Sequence, residues 1–400
     1  MTARFTSNTH TMGDAGIFAS MEVMGAPNPP VDSEANILTL AHSHIMANNQ
    51  QPILLDHDDM DDSNAATQES SLATYVSFSG LKSVDTRNEP ETDVLQHDCL
   101  PKFVHPIFHP DNFDETECAD TYKYAYPALQ LASAILTHSS QLPFWQGINT
   151  NCKPGTIKDS NTGKLTPFVD FTMKAELSDG DLEAVEEFMD DLSENVMFAP
   201  AELVNEDGRC GLRKVDQTDR GDAIKKCVIE FNVDYVLIAK ALSQSGSADD
   251  VRRHYFRWAI IVLHELAHAV EFFLFDEEYE IFLEDEPAAE LGFAYENYLL
   301  GGIPRFLKHT DLILLRNWPC PALHEEYTNT GDKFVLRAEL IDTTVQCLVA
   351  NEELDKFFDP AFWQSQVSVG SKPFHLGQLT EVTGDQVAAL RTLAHVEQLR

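Results

Sequence analysis

The segment that most constrains this chain is "DDVRRHYFRWAIIVLHELAHAVEFFLF", residues 249–275. Apolar side chains recur in it at helical spacing over about seven turns, the pattern of a long buried helix. Ser247, with Asp250 three residues later, resembles a capping box in which Asp replaces the usual Glu or Gln. The most apolar part, "VLHELAHAVEF" (Val262–Phe272), nevertheless carries two histidines with a carboxylate between them. Ionisable groups are costly to bury unless they find partners. Either a ligand binds on this stripe, or the stripe faces water.

Spacing favours a ligand. His264 and His268 are four apart, so a helix puts both imidazoles on one face, one turn from each other. Two ring nitrogens so placed can meet a single tetrahedral zinc ion at about 2.0–2.1 Å each. Glu265 follows the first histidine, where its carboxylate reaches a water near the ion without ligating it. This is the H-E-x-x-H pattern. The plain alternative is a core helix with incidental His and Glu.

A catalytic zinc needs a third protein ligand and one open position. The following segment, "PAAELGFAYENYLL" (Pro287–Leu300), reads as a helix, with Pro287 in its first turn and Gly301, Gly302 and Pro304 at its end. Glu286, Glu290 and Glu296 lie along this stretch. Glu290 is the favoured third ligand and Glu286 the second choice; whichever does not bind the ion can orient a histidine. Gly292 removes a side chain where this helix must approach the histidine helix closely. His309 and His324 are weaker ligand candidates.

The remaining chain sets the frame. Residues 1–100 read as a mostly disordered acidic tail, with Arg4, Lys82 and Arg87 its only basic residues. Within it, Ala35–Ala47 suggests a short helix, and His42 and His44 a surface pair. The folded part is expected over 101–400. Helices are predicted at Tyr126–Leu142 and Asp179–Val196, and a strand at Leu165–Leu177. A strand at Cys227–Phe231 turns at Asn232 into a short helix. Over 303–400 the pattern reads as mostly helical, with helices at Val335–Phe358 and Gly384–Leu399. "LPFWQGI" (Leu142–Ile148) and "DPAFWQS" (Asp359–Ser365) read as aromatic loop anchors.

The whole chain carries a formal net charge of -37, from 65 acidic and 28 basic residues. Such a charge repels nucleic acid and anionic membrane, so neither is an expected partner. No secretory signal or run of about 18 consecutive apolar residues is read from the sequence. The seven cysteines are odd in number, scattered and without a C-x-x-C. That points to reduced thiols and an intracellular, cytoplasmic setting.

The combination of "HELAH" on one helix with a ligand glutamate on the next resembles the gluzincin class of zinc metallopeptidases. The resemblance covers Lys226–Gly302, about a fifth of the chain. "ELGFA" is similar to the E-G-F-A of aminopeptidase-like members, with Leu291 inserted. "EPAAE" resembles the E-x-x-A-D or E-x-x-x-D of others, with Glu290 in place of aspartate. The G-x-M-E-N exopeptidase motif is absent, and Glu271 stands where the metzincin pattern requires glycine. The resemblance implies an α+β, zincin-like fold, with a small mixed sheet, a long H-E-x-x-H helix and a following helix that bears the glutamate.

It also implies one zinc ion and hydrolysis of a peptide or small-molecule substrate, with Glu265 as general base. The Cys227–Phe231 strand would border the cleft. Tyr295, Tyr298, His254 and His309 are candidates for stabilising the oxyanion. The acidic stretch Asp276–Asp285 would favour cationic substrates. Two other readings remain open: a zincin-fold enzyme acting on a non-peptide substrate, as in secondary metabolism, and a non-catalytic, metal-stabilised interaction protein.

Overall fold

The computed structural model describes residues 102–114, 120–159, 163–204, 206–216, 223–275, 279–306 and 313–321, with Leu100 before them and shorter pieces from 325 to 387 after them. All belong to one compact unit, Ser71–Arg400. The tail with His42 and His44, both His309 and His324, and most of Gly384–Leu399 lie outside the described residues.

The fold is α+β. Helices α1 (Thr121–Leu136) and α2 (Leu142–Thr150) lead into strands β1 (Cys152–Lys158) and β2 (Leu165–Phe171). Helix α3 (Asp179–Asn195) is followed by β3 (Val196–Ala201), β4 (Gly208–Asp216) and β5 (Ala223–Asn232). Two helices come next, α4 (Asp234–Ser245) and α5 (Ala248–Phe275). Then come β6 (Glu280–Leu283), β7 (Ala288–Ala289), α6 (Leu291–Leu300) and β8 (Ile303–Phe306).

Local chemistry accounts for most of these boundaries. Ser178 closes a full capping box with Asp181 at the start of α3, whose buried Val185, Phe188, Met189 and Leu192 follow the helical period. At the start of α5, Asp250 N donates to Ser247 Oγ at 3.2 Å, and the Ser247 hydroxyl donates to Asp250 Oδ2 at 2.6 Å. Aromatic and β-branched residues are only average helix formers, by up to about 0.7 kcal/mol each. Burial outweighs that in α5: Tyr255, Phe256, Trp258, Leu263 and Leu266 are all 2 % exposed or less. Each such side chain contributes about 1.5–3 kcal/mol on leaving water. By length and composition alone α5 is long and apolar enough to cross a bilayer. Here it is the axis of the core, packed by α1, α4, α6, β4 and β5.

Strands β3, β5 and β4 form a mixed sheet in that order, β3 parallel and β4 antiparallel to the centre. The centre strand contains the predicted Cys227–Phe231. Residues on both of its faces are buried, from Cys227 to Phe231 without a break. A second mixed sheet has the order β1-β2-β6, with β6 parallel to β2.

Several expectations are corrected. The segment Pro287–Leu300 is not one helix. Ala288 and Ala289 pair with Leu336 and Val335, and the helix starts only at Leu291. The Tyr126–Leu142 helix is two helices, α1 and α2, and the Leu165 strand ends at Phe171. "LPFWQGI" lies in α2 rather than a loop, with Phe144 and Trp145 fully buried. "DPAFWQS" likewise falls largely in a short helix, Pro360–Gln364.

The region after residue 303 is not mostly helical among its described residues. It contains strands β9 (Ile313–Arg316), β10 (Val335–Leu336), β11 (Gln346–Val349) and β12 (Thr380–Glu381) beside short helical pieces. Strands β12, β11, β9 and β8 form one antiparallel sheet. The expected Val335–Phe358 helix contains Ile341, Thr343, Thr344 and Val345, a β-branched cluster better suited to extended chain. Among the described residues there, only Glu352–Asp355 and a 3-10 turn, Lys356–Phe358, are helical.

Entry of the chain into the core depends on a buried neutral histidine. His105 Nδ1 accepts from Ile107 N at 3.2 Å and so caps the turn Pro106–Phe108. Burial lowers its pKa to about 3, whereas an unfolded histidine titrates near 6.5. The unfolded chain therefore binds the proton first. Stability present above pH ~6.5 is lost as pH falls towards 3, by about 2 kcal/mol between pH 6.5 and 5. His105→Asn keeps a capping acceptor without titrating. Its melting temperature should fall less than that of wild type between pH 7 and 5; equal falls would contradict this account.

Candidate metal centre

Helix α5 presents His264, Glu265 and His268 on its side facing α6, β4 and β6. The His264 and His268 rings lie 5.1 Å apart between centroids. Both Nε2 atoms point at one oxygen, Glu290 Oε1, at 3.5 Å from His264 and 2.7 Å from His268. These three side chains form the one His/Cys/Asp/Glu group among the described residues whose ligand atoms converge closely enough to hold an ion. Ligand atoms around a tetrahedral zinc with bonds of about 2.0–2.1 Å are roughly 3.3 Å apart. The His264 distance is close to that value, and the His268 contact is a hydrogen bond in length.

Glu290 is held from behind by the helix it begins. It is the N-cap of α6, and its Oε2 accepts from Phe293 N. One carboxylate oxygen thus satisfies a free helix N–H, while the other faces the histidines. The helix dipole further favours its negative charge. Glu286, the second ligand choice, is not in the group. Its Oε2 accepts from Trp318 Nε1 at 3.0 Å. The β7 pairing breaks the helix that would have set Glu286 and Glu290 one turn apart.

Each histidine is oriented through its other nitrogen. His264 Nδ1 lies 2.9 Å from Glu296 Oε1, and His268 Nδ1 lies 3.3 Å from Glu271 Oε2. Such carboxylate–histidine pairs fix the tautomer that leaves Nε2 free for an ion. The orienting roles of Glu296 and Glu271 were not read from the sequence. A signal existed: Gly292 and Glu296 are four apart and share a helix face, and Gly292 is where the histidine helix comes close. A Cβ on Gly292 would lie 2.5 Å from His264 Cε1 and Nε2.

Electrostatics reinforces the grouping. Burial opposes protonation of His264, but Glu290 and Glu296 outweigh it and raise its pKa to about 9. Burial likewise opposes protonation of His268, yet Glu290 and Glu271 hold it well above the ordinary value. Burial alone would raise Glu290; the two histidines bring it below the usual carboxylate range. In the protein alone, protons on the two rings balance these acids, and a divalent cation can replace them.

Glu265 is different. It is 6 % exposed, and no hydrogen bond to it is found among the described residues. Burial raises its pKa. Strand β4 passes directly over it: a Cβ on Gly208 would lie 2.8 Å from Glu265 Oε1. The strand bordering the site is therefore β4, the outer strand, and not Cys227–Phe231, which is central and covered on both faces.

These groups open into a cavity of about 500 Å³. Its floor is α5, from His264 to Phe272. One wall is Glu206, Gly208, Arg209 and Cys210, and the other is Glu280, Ile281 and Ala289–Leu291. Arg209 and Arg213 both donate to the buried Glu230 beside them. Burial and Glu265 push the Cys210 thiol well up, so it is neutral. The five described cysteines are free thiols.

None of the described oxyanion candidates lines this cavity. Tyr295 is fully buried, its ring 4.9 Å from Phe144 and 4.6 Å from Trp145. The Tyr298 hydroxyl donates to Ser140 O at 2.6 Å. His254 Nε2 sits 3.0 Å from Tyr235 O. His309 is outside the described residues.

Compared with protein-family models, curated proteins and solved structures, the chain matches none of them.

The geometry predicts that Gly292→Ala displaces the His264 ring, although alanine favours a helix by about 1 kcal/mol. The variant should melt near the wild-type temperature yet bind zinc at least about ten-fold more weakly by competition with a chromophoric chelator. Unchanged zinc affinity would contradict the close approach of the two helices. Glu296→Ala should weaken zinc by about 10- to 100-fold in the same assay; an effect no larger than that of a surface Glu→Ala change would remove its orienting role.

Proposed function

We propose that this chain is a zinc-dependent hydrolase of zincin-like fold that cleaves peptide bonds. One observation carries the reading: two histidine Nε2 atoms and one glutamate oxygen converge, and beside them stands a buried carboxylate with no hydrogen bond among the described residues. His264, His268 and Glu290 would hold one ion. The donor set suits it, since two imidazoles and a carboxylate are the ligands of a catalytic rather than a structural zinc.

When bound, such an ion supplies Lewis acidity to a scissile carbonyl and lowers the pKa of a water into the neutral range. The rest falls to the chain itself. Glu265 takes a proton from the attacking water at its carboxylate as the new C–O bond forms. It then passes that proton to the departing amine nitrogen as the C–N bond breaks. Burial keeps Glu265 a strong enough base for the first step and a ready acid for the second. Glu296 and Glu271 keep the histidines in register. The outer strand β4 offers a sheet edge along which an extended peptide can pair, its carbonyl delivered over Glu265 at Gly208.

Glu265 is also the feature that favours an enzyme over a metal-stabilised interaction protein. A structural ion fills its fourth position with protein and has no use for a neighbouring free carboxylate.

The test is metal content and turnover together. Purified wild type should retain near-stoichiometric zinc, and His264→Ala should lose it. Glu265→Gln should keep the metal and lose turnover of a peptide library by about 10²–10⁴-fold. Full turnover in Glu265→Gln, or equal metal in His264→Ala and wild type, would contradict the proposal. Cleavage of simple amides or esters but of no peptide would move the reading to a non-peptide substrate.

A further inference from the structure

We infer that the cavity selects peptides with a lysine or arginine side chain beside the scissile bond, and that Glu280 is the residue that selects it. This rests on the hydrolase reading above and concerns the substrate class of the same site.

The charges lining the cavity are unevenly used. Glu290 faces the histidines, Glu271 is hydrogen-bonded to His268, and Glu265 stands over the reacting position. Arg209, the one cation of the wall, is engaged by Glu230. Strand alternation directs its side chain, like that of its cross-strand partner Glu230, to the sheet face opposite Gly208 and Cys210. Glu206 and Glu280 remain. Glu206 is exposed at the rim, whereas Glu280 is half-buried in the wall and no hydrogen bond to it is found among the described residues.

Glu280 is thus a carboxylate partly withdrawn from water, set among acids and only weakly balanced by Lys164. Burial, Glu271 and Asp159 raise its pKa to about 7, and only Lys164 opposes them, most weakly. A desolvated acid of this kind gains most from a ligand that brings its own positive charge. Its place fits a side chain of the substrate rather than the reacting atoms. Glu271 and Phe272, on the same floor, lie about one helical turn beyond His268, some 5 Å along the axis. A peptide laid on β4 places alternate side chains towards the helix, so one of them enters this acidic end. Independently, the Glu265 carboxylate, 6 % exposed and with no hydrogen bond among the described residues, faces the same cavity and points to a ligand there.

The residue lies within the acidic stretch, Asp276–Asp285, expected from the sequence to favour cationic substrates, and narrows that expectation to one side chain. Within Asp276–Asp285, the described Glu284 and Asp285 do not line the cavity; Glu280 and Ile281 do.

The experiment is equilibrium binding by fluorescence anisotropy, with the full chain loaded with zinc and carrying Glu265→Gln to prevent turnover. The probes are short peptides identical except for Lys, norleucine or Glu at one position, scanned along the peptide. At one position the Lys peptide should bind about ten-fold more tightly than the norleucine peptide. Adding Glu280→Gln should remove most of that preference while the norleucine peptide binds within about two-fold as before. Adding Glu280→Lys should reverse it in favour of the Glu peptide, which a merely misfolded variant would not do. Equal binding of Lys and norleucine peptides at every position, a preference that survives Glu280→Gln, or no binding of the Lys peptide would overturn the inference. The hydrolase reading fails separately: a Lys preference in binding, with no cleavage of that peptide by zinc-loaded Glu265-containing protein, would retain the acidic subsite and remove the peptidase.

Discussion

The structure turns on an ionic cluster buried against the middle of its longest core helix. His264, His268, Glu290, Glu296 and Glu271 meet where the surrounding side chains are among the most deeply buried in the chain. Isolated, any one of these charges would be costly to desolvate. Together they compensate one another, and the arrangement obliges α6 to start at Glu290 and to bring Gly292 against the His264 ring. The two helices and strand β4 are thereby locked to a common centre. A smaller side chain at two positions, Gly208 and Gly292, is what permits the approach.

The same constraint links fold to chemistry. A cap carboxylate cannot wander, because one of its oxygens is committed to a helix N–H. Histidines whose Nδ1 atoms are engaged by acids cannot turn their Nε2 atoms away. Orientation is thus set before any ligand arrives, which is how a binding site gains affinity without further ordering cost. The exception is the Glu265 carboxylate, which the fold buries and which has no hydrogen bond among the described residues. A group held in that way is poorly explained by stability and well explained by proton transfer.

Legibility in the sequence followed the range of the interactions. The helix over 249–275, its Ser247 cap and the shared face of His264 and His268 depend on residues a turn apart, and all were readable. So was the close approach at Gly292, because a glycine inside an apolar helix asks for a neighbour. The start of α6 was misread because Ala288 and Ala289 carry strong helix propensity, yet their backbone pairs with Val335 and Leu336 from far along the chain. That pairing also decided between Glu286 and Glu290, which spacing alone left open. The C-terminal strands were missed for a related reason: their apolar residues have no clear period, and β11 and β10 pair with β9 and β7 from far along the chain. The individual roles of Glu296, Glu271 and Glu280 were not readable, since they exist only once α5, α6 and β6 are brought together.

The central claim is that two imidazoles and one carboxylate hold a single zinc ion. X-ray absorption spectroscopy of the zinc-loaded full chain tests it most directly. The account predicts a four-coordinate first shell of nitrogen and oxygen at about 2.0–2.1 Å, with the outer-shell scattering of two imidazole rings. A sulfur shell near 2.3 Å, or a shell of water oxygens without imidazole scattering, would contradict it.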